Sequence, residues 1–242
     1  MRIFNVVKDL FDKRDHIAAP LPITLPASVD LREWMPPIRD QGQEGACTAF
    51  AGTALLSWLY KRFKNQSLVF SPQFLYRAER LCEGDPQEDG GAQSRTMMAC
   101  MQEIGVCLES SDPYTDTGWK NPTTKIQVNE AHLYKIGAYH RVQDMDTLKT
   151  VLASGYPTSI AIDVYESFEE TGSDGIIAMP KKGEKSLGGH EICVAGYRSD
   201  GYLIIRNSWS ESFADKGYMY MPPAYWRYVS DCWLPHLGSA WK

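Results

Sequence analysis

The chain has 242 residues, 43% of them hydrophobic and 12% aromatic, and a formal net charge of −5. That length suits one large domain or two closely packed lobes, with enough apolar material for a sizeable core. An acidic balance without any basic block argues against nucleic acid as a partner, and no apolar run approaches the ~18 residues of a membrane span.

The N-terminal stretch MRIFNVVKDLFDKRDH is interrupted by Asn5, Lys8 and Asp9, and no small-residue cleavage site follows, so it does not read as a secretory signal. Ile3, Val6, Val7, Leu10 and Phe11 recur in it at helical spacing, which predicts a short amphipathic helix over 2–14. Pro20, Pro22 and Pro26 then impose an extended linker. From Cys47 to Tyr60 the chain is apolar on every side, the pattern of a helix inside a core. Lys61, Arg62 and Lys64 stand at its end, where the dipole favours cations. Ser71-Pro72 is a helix start, with a capping hydroxyl and proline at the first helical position. A third helix is predicted over 93–104, with Met97, Met101 and Ile104 on one face and Gly105 as its stop.

Beyond that point the texture changes. AHLYKIGAYHRV, YPTSIAIDV, HEICVAGY, GYLIIRNSW and KGYMYMP are rich in β-branched and aromatic residues and predict strands, with one helix over 144–154 ended by Gly155. Helices first and strands later indicate an α+β protein of two lobes. The expected division is an N-terminal extension over 1–24 and one domain over 25–242, its helical lobe about 30–125 and its β-rich lobe about 126–242.

Six cysteines are present: Cys47, Cys82, Cys100, Cys107, Cys193 and Cys232. No C-x-x-C pair occurs and no Cys/His spacing suits zinc, so neither a metal nor a cofactor is expected. The sparse thiols and the absence of a signal peptide favour a reducing compartment, the cytoplasm, with export by a route that needs no signal peptide left open.

Cys47 is the thiol with a distinctive setting. At a helix N-terminus it faces unpaired N–H groups and the positive end of the dipole, both of which favour thiolate. Gly42 and Gly45 permit close approach of a ligand, and Gln41 offers a neutral amide donor. A nucleophile, amide donors and an open approach suit acyl transfer, which still needs a base and a group to orient it. His190 follows Gly188-Gly189 at the mouth of an apolar strand, and Asn207 ends the next one; if the two strands pair, imidazole and amide meet.

QGQEGACTAF, GGHEICVAGY and IIRNSWSESFADKGY, in that order and with Cys47 and His190 143 residues apart, resemble the three signature blocks of the papain-like cysteine peptidases. LPASVDLRE at 25–33 resembles the start of their mature domain, and EDGGAQSR the glycine pair along their substrate cleft. The resemblance covers about 25–236, and SPQFLYRAER and IGVCLESSDPY are most similar to the bacterial and archaeal branch.

The resemblance implies a two-lobed papain-like fold with the cleft between a helical and a β-rich lobe, and a cysteine endopeptidase acting on peptide or protein substrates through a thioester. It assigns Cys47 as nucleophile, His190 as base and later acid, Asn207 as its orienting group and Trp209 as its cover. The Gln41 side chain and the Cys47 N–H would form the oxyanion hole. Gly90 and Gly91 would bind substrate backbone. Ala161, Gly189 and Ser230 would line a roomy pocket for the second residue upstream of the cut.

Two other outcomes use the same residues: transfer of the acyl group to an amine, and a silent relative that only binds peptides. Glu44, Thr48, Ser210, Phe213 and Ala214 depart from the family pattern. Glu44 is expected to bring negative charge near the thiol, and Thr48 to open space beside it. The family's inhibitory pro-segments are several times longer than 1–24. The expectation is a small arm whose helix packs Ile3, Val7, Leu10 and Phe11 on its own domain or on a partner, with the linker near the cleft.

Overall fold

The structure, a computed structural model, describes residues 2–238. Three helices carry the first half of the domain. α1 (Cys47–Lys64) is buried from its first residue through Tyr60 and ends at Asn65, whose φ of 54° turns the chain out of the helix. α2 (Pro72–Cys82) starts as its sequence dictates, with the Ser71 hydroxyl accepting from the Phe74 N–H at 3.0 Å. α3 (Ser94–Glu103) packs against α2.

A seven-stranded antiparallel sheet forms the rest, in the order β2 (Ala138–Arg141), β7 (Val229–His236), β3 (Thr158–Tyr165), β4 (Ser186–Tyr197), β5 (Leu203–Arg206), β6 (Tyr218–Met221), with β1 (Val29–Asp30) paired to β4. α1 lies against β4. One core gathers around α1 with Trp58 and Leu55, and a second lies within the sheet around Ile160, Val194 and Trp209. A helical lobe and a β-rich lobe therefore share one chain, an α+β arrangement. Among the described residues no helix is long and apolar enough to cross a membrane.

Several expectations change. Residues 2–16 form no helix and turn at 13–14. The periodic pattern is real, but the backbone N–H groups that a helix would use internally are taken by the domain: Val6 donates to the Gly189 carbonyl and Asp9 to the Asp231 carboxylate. Val7, Leu10 and Phe11 are exposed, Phe11 to 93%, and the residues that pack are Phe4 and Val6. The apolar stretch opening with AHLY begins inside a helix, α4 (Lys125–Ala131), which carries a Thr124–Gln127 capping box. Two short elements complete the order, α5 (Met145–Ala153), capped by Asp144, and α6 (Glu166–Glu169).

All six cysteines are free, yet the Cys82 and Cys100 sulfurs lie 3.6 Å apart, a proximity the sequence does not reveal. Excess reductant is expected to leave the melting temperature within about 1 °C, because losing a native disulfide would cost roughly 2–5 kcal/mol and several degrees. Mass spectrometry after denaturing alkylation should find six labelled thiols, and fewer would place a bridge at the Cys82–Cys100 pair.

Candidate active site

The approach to α1 is built by two carboxylates. Asp40 accepts from the Gly42 N–H at 2.9 Å, and Asp89 accepts from the Gly45 N–H at 3.0 Å, tying this loop to the glycine pair that follows Asp89. The residue preceding α1, Ala46, makes no side-chain cap, so Cys47 opens the helix with its first N–H groups left free of a capping side chain. Gln41 is clamped at its oxygen end: its Oε1 accepts from the Ser208 hydroxyl at 2.7 Å, while its Nε2 donates to the Glu44 carbonyl at 3.0 Å. One Nε2 hydrogen remains as a donor.

β4 and β5 pair antiparallel, with Cys193 opposite Arg206. That register brings His190 and Asn207 together, His190 Nε2 lying 2.9 Å from Asn207 Oδ1. The same oxygen accepts from the Ser208 N–H at 2.8 Å, which fixes the amide's orientation. An acceptor at Nε2 places the proton there and leaves the Nδ1 lone pair free. Nδ1 is buried without a hydrogen-bond partner among the described residues. Trp209 stacks on the imidazole at 4.9 Å and 26°, and Phe168 and Phe213 hold the indole edge-on.

The N-terminal arm fills the space in front of these residues. Phe4 meets His190 edge-on at 6.0 Å and lies 5.9 Å from Trp209; the Arg2 guanidinium sits 4.4 Å over the Trp209 ring. Val6 donates its N–H to the Gly189 carbonyl at 3.1 Å and packs with Cys47 and Ala161. A Cβ at Gly189 would stand 2.0 Å from the Val6 carbonyl oxygen, and one at Gly91 would stand 2.6 Å from Asn5, so the arm lies where only glycine permits it. Gly90 is turned instead toward the Arg80 guanidinium, and the Gly91 N–H and carbonyl are engaged by Tyr76 and Arg80 within the domain.

Cys47 and His190 are 1% and 0% exposed. Burial pushes the Cys47 thiol up to about 12 and the His190 imidazole down to about 4, so both are neutral near pH 7 in this state. The carboxyls that bear on the thiol are Glu191 and Glu79 rather than the expected Glu44. Burial raises Glu44 and Glu191 to about 8 and Glu79 well above its ordinary value, so the low-dielectric surroundings disfavour the charged form of all three. Thr48 opens no space: it is buried, and its hydroxyl donates to Glu79 at 2.6 Å.

The pocket around Ala161 also differs from the expectation of small residues. Ala161 pairs with Glu191 on β4 and with Asp231 on β7, and directly paired residues share a face, so two carboxyls flank it. Ser230 lies beside this row, its hydroxyl 3.5 Å from the Ala161 carbonyl. Nothing in a single sequence marks Asp231 or Glu191, because only strand register brings them to the cleft. Among the described residues no cluster of His, Cys, Asp or Glu is placed to hold a metal ion.

The model of the papain family cysteine proteases matches residues 25–229. An uncharacterised peptidase C1-like protein of Acanthamoeba polyphaga mimivirus is 31% identical over 79% of this chain and 65% of its own length. Cysteine proteinase 3 of Entamoeba histolytica is 31% identical over 80% and 61%. The chain thus spans a little under two thirds of the length of these relatives. Xylellain, a cysteine protease from Xylella fastidiosa, superposes with a TM-score of 0.90 at 31% identity, covering 96% of this chain and 95% of its own.

Iodoacetamide at about pH 8 is expected to label Cys47 of the intact chain at least ~100-fold more slowly than exposed Cys82, since Cys47 is buried and a thiol pushed up to about 12 is scarcely ionised there. Unfolding in urea should erase the difference. Equal rates on the folded chain, read by peptide mapping, would mean that the arm does not cover the thiol.

Proposed function

The chain belongs to the papain family of cysteine proteases, and from that premise we propose that it is a cysteine endopeptidase held latent by its own residues 2–9. The observation that carries the reading is the His190–Asn207 bond with the opposite ring nitrogen unpartnered. A neutral imidazole protonated on Nε2 presents Nδ1 as a base. With the cleft open, Nδ1 takes the Cys47 proton, and the thiolate attacks the substrate carbonyl carbon. The Cys47 N–H and the free Nε2 hydrogen of Gln41 receive the oxyanion. His190 returns its proton to the departing amine, leaving a thioester on Cys47. It then deprotonates the water that hydrolyses the thioester. Asn207 keeps the ring oriented throughout without withdrawing its proton, and Trp209 shields the pair from bulk water.

Residues 1–24 are the extension and residue 25 onward the peptidase domain. The arm runs from Trp209 at Phe4 to the Ala161 pocket at Val6. By resemblance the upstream part of a substrate fills that pocket, and His190, which protonates the leaving amine, lies under Trp209, so the arm runs backwards. It covers the thiol without presenting a bond in the cleavable direction. Six unpaired thiols favour work in a reducing compartment such as the cytoplasm.

Two variants test this on the full chain with a fluorogenic peptide. Cys47→Ala should abolish turnover at unchanged melting temperature, and residual activity near wild type would remove the thiol from the reaction. Val6→Asp puts an unpaired carboxylate into a buried site beside Glu191 and Asp231, at a cost of several kcal/mol when docked. It should expel the arm and raise kcat/KM by about tenfold or more. An unchanged rate would show that the arm does not restrain the enzyme.

A further inference from the structure

Three residues beyond Val6, the arm delivers a carboxylate into a site made entirely by the domain. Asp9 has a fully buried side chain. Its Oδ2 accepts from the Trp233 indole N–H at 2.8 Å and from Arg141 Nη2 at 3.3 Å, and its Oδ1 accepts from the Arg95 backbone N–H at 3.2 Å. That last donor lies in the first turn of α3, whose start has no side-chain cap of its own. The Asp9 N–H in turn donates to Asp231 Oδ2 at 3.0 Å. A second arm carboxylate, Asp15, bridges Arg95 and Arg141, accepting from Arg95 Nε at 2.9 Å and Nη2 at 2.8 Å and from Arg141 Nε at 3.0 Å. Both guanidiniums lie over the Trp233 ring, at 5.7 and 4.5 Å.

Once the arm departs, Asp9 and Asp15 leave together. Two arginines and an indole N–H then line this end of the cleft, opposed by Asp231, which pairs with Arg141 Nη1. The positive balance and the ready-made donors remain, and they are three extended residues, about 10 Å, from the Ala161 pocket.

We propose that this site is a carboxylate receptor of the open enzyme, which selects peptides bearing Asp or Glu two to three residues upstream of the side chain that occupies the Ala161 pocket. The inference rests on the endopeptidase reading above and adds a substrate class to it: peptides acidic on the upstream side. The arm holds the cleft shut by offering the same group that a substrate offers. The contact is geometric as well as electrostatic, because an indole N–H, a backbone N–H and a guanidinium converge on one carboxylate from three directions, and a neutral amide in its place would turn an N–H toward them.

The test uses the full chain with a sequence-specific protease site placed within Leu21–Pro26, folded first and then cut so that the arm exchanges. A fluorescent peptide of residues 1–19 reports occupancy at about pH 7.5, where Asp9 is ionised although burial and Asp231 push it up to about 6. Peptides identical except for Asp or Asn at the fourth or fifth residue upstream of the cut then compete with it. At one position the Asp peptide should compete about tenfold better, and its kcat/KM should exceed that of the Asn peptide by a similar factor. Trp233→Phe should shrink both ratios below about threefold while Asn peptides behave as before. Equal competition, or equal kcat/KM where both peptides are cut, overturns the proposal. If no peptide is cut, the endopeptidase reading fails, and the competition ratio still decides whether the carboxylate receptor exists.

Discussion

The register between β4 and β5 is the constraint on which the site depends. His190 and Asn207 are seventeen residues apart in sequence and meet only because Cys193 stands opposite Arg206. A slip by one residue would send the imidazole to the other face of the sheet. The register is held by apolar packing on both faces, with Val194 and Ile205 in the sheet's own core and Ala195 and Ile204 against the helical side. The β4 strand also offers the Gly189 carbonyl to the arm and carries Glu191, so one strand positions base, backbone contact and pocket wall together.

The helical lobe and its seam with the sheet bury three carboxyls, two of which, Glu79 and Glu191, bear on the thiol. Glu44, Glu79 and Glu191 are each buried and each raised, and each has one oxygen hydrogen-bonded and the other without a partner among the described residues. A protonated carboxyl in such a place donates as well as accepts, which lets it bridge helices and strands where an ionised one would be expelled. Thr48–Glu79 joins α1 to α2, and Ser94–Glu191 joins α3 to β4. The helices and the sheet are thus tied together next to Cys47 by carboxyls whose charged form burial disfavours.

Much of this was legible in residues whose role is local. The buried run of α1, the Ser71-Pro72 start of α2 and the Asp144 cap of α5 act over four or five positions, and their patterns survive folding unchanged. Of the motif residues, His190 and Asn207 meet directly, Gln41 is joined to Asn207 through Ser208, and Cys47 packs with Val6 and Ala161 at the start of α1. What failed was whatever depends on partners distant in sequence. Ile3 to Phe11 have helical spacing, but an isolated helix that short is marginal in water, and the cleft offers better acceptors to its N–H groups. The Thr124–Gln127 capping box was visible in TTKIQ and would have separated α4 from the strand behind it. Asp231 reads as a polar interruption in VSDCWLP, and only its pairing with Ala161 shows that it faces the cleft.

The arm remains joined to the domain through an anchored linker, with the Ala18 N–H bound to the Arg141 carbonyl and the Pro26 carbonyl bound by the Tyr197 hydroxyl. Closure is therefore unimolecular, and its equilibrium is the same however dilute the protein. A tether of this length holds its end at an effective concentration on the order of millimolar. An arm of only millimolar intrinsic affinity would leave half the molecules closed, so the contacts at Phe4, Val6 and Asp9 need not be tight to keep the cleft covered. A single cut anywhere between Ile17 and Leu25 replaces that local concentration with the bulk one. Severing the linker alone, with every contact of the arm intact, makes the arm's hold on the cleft depend on dilution.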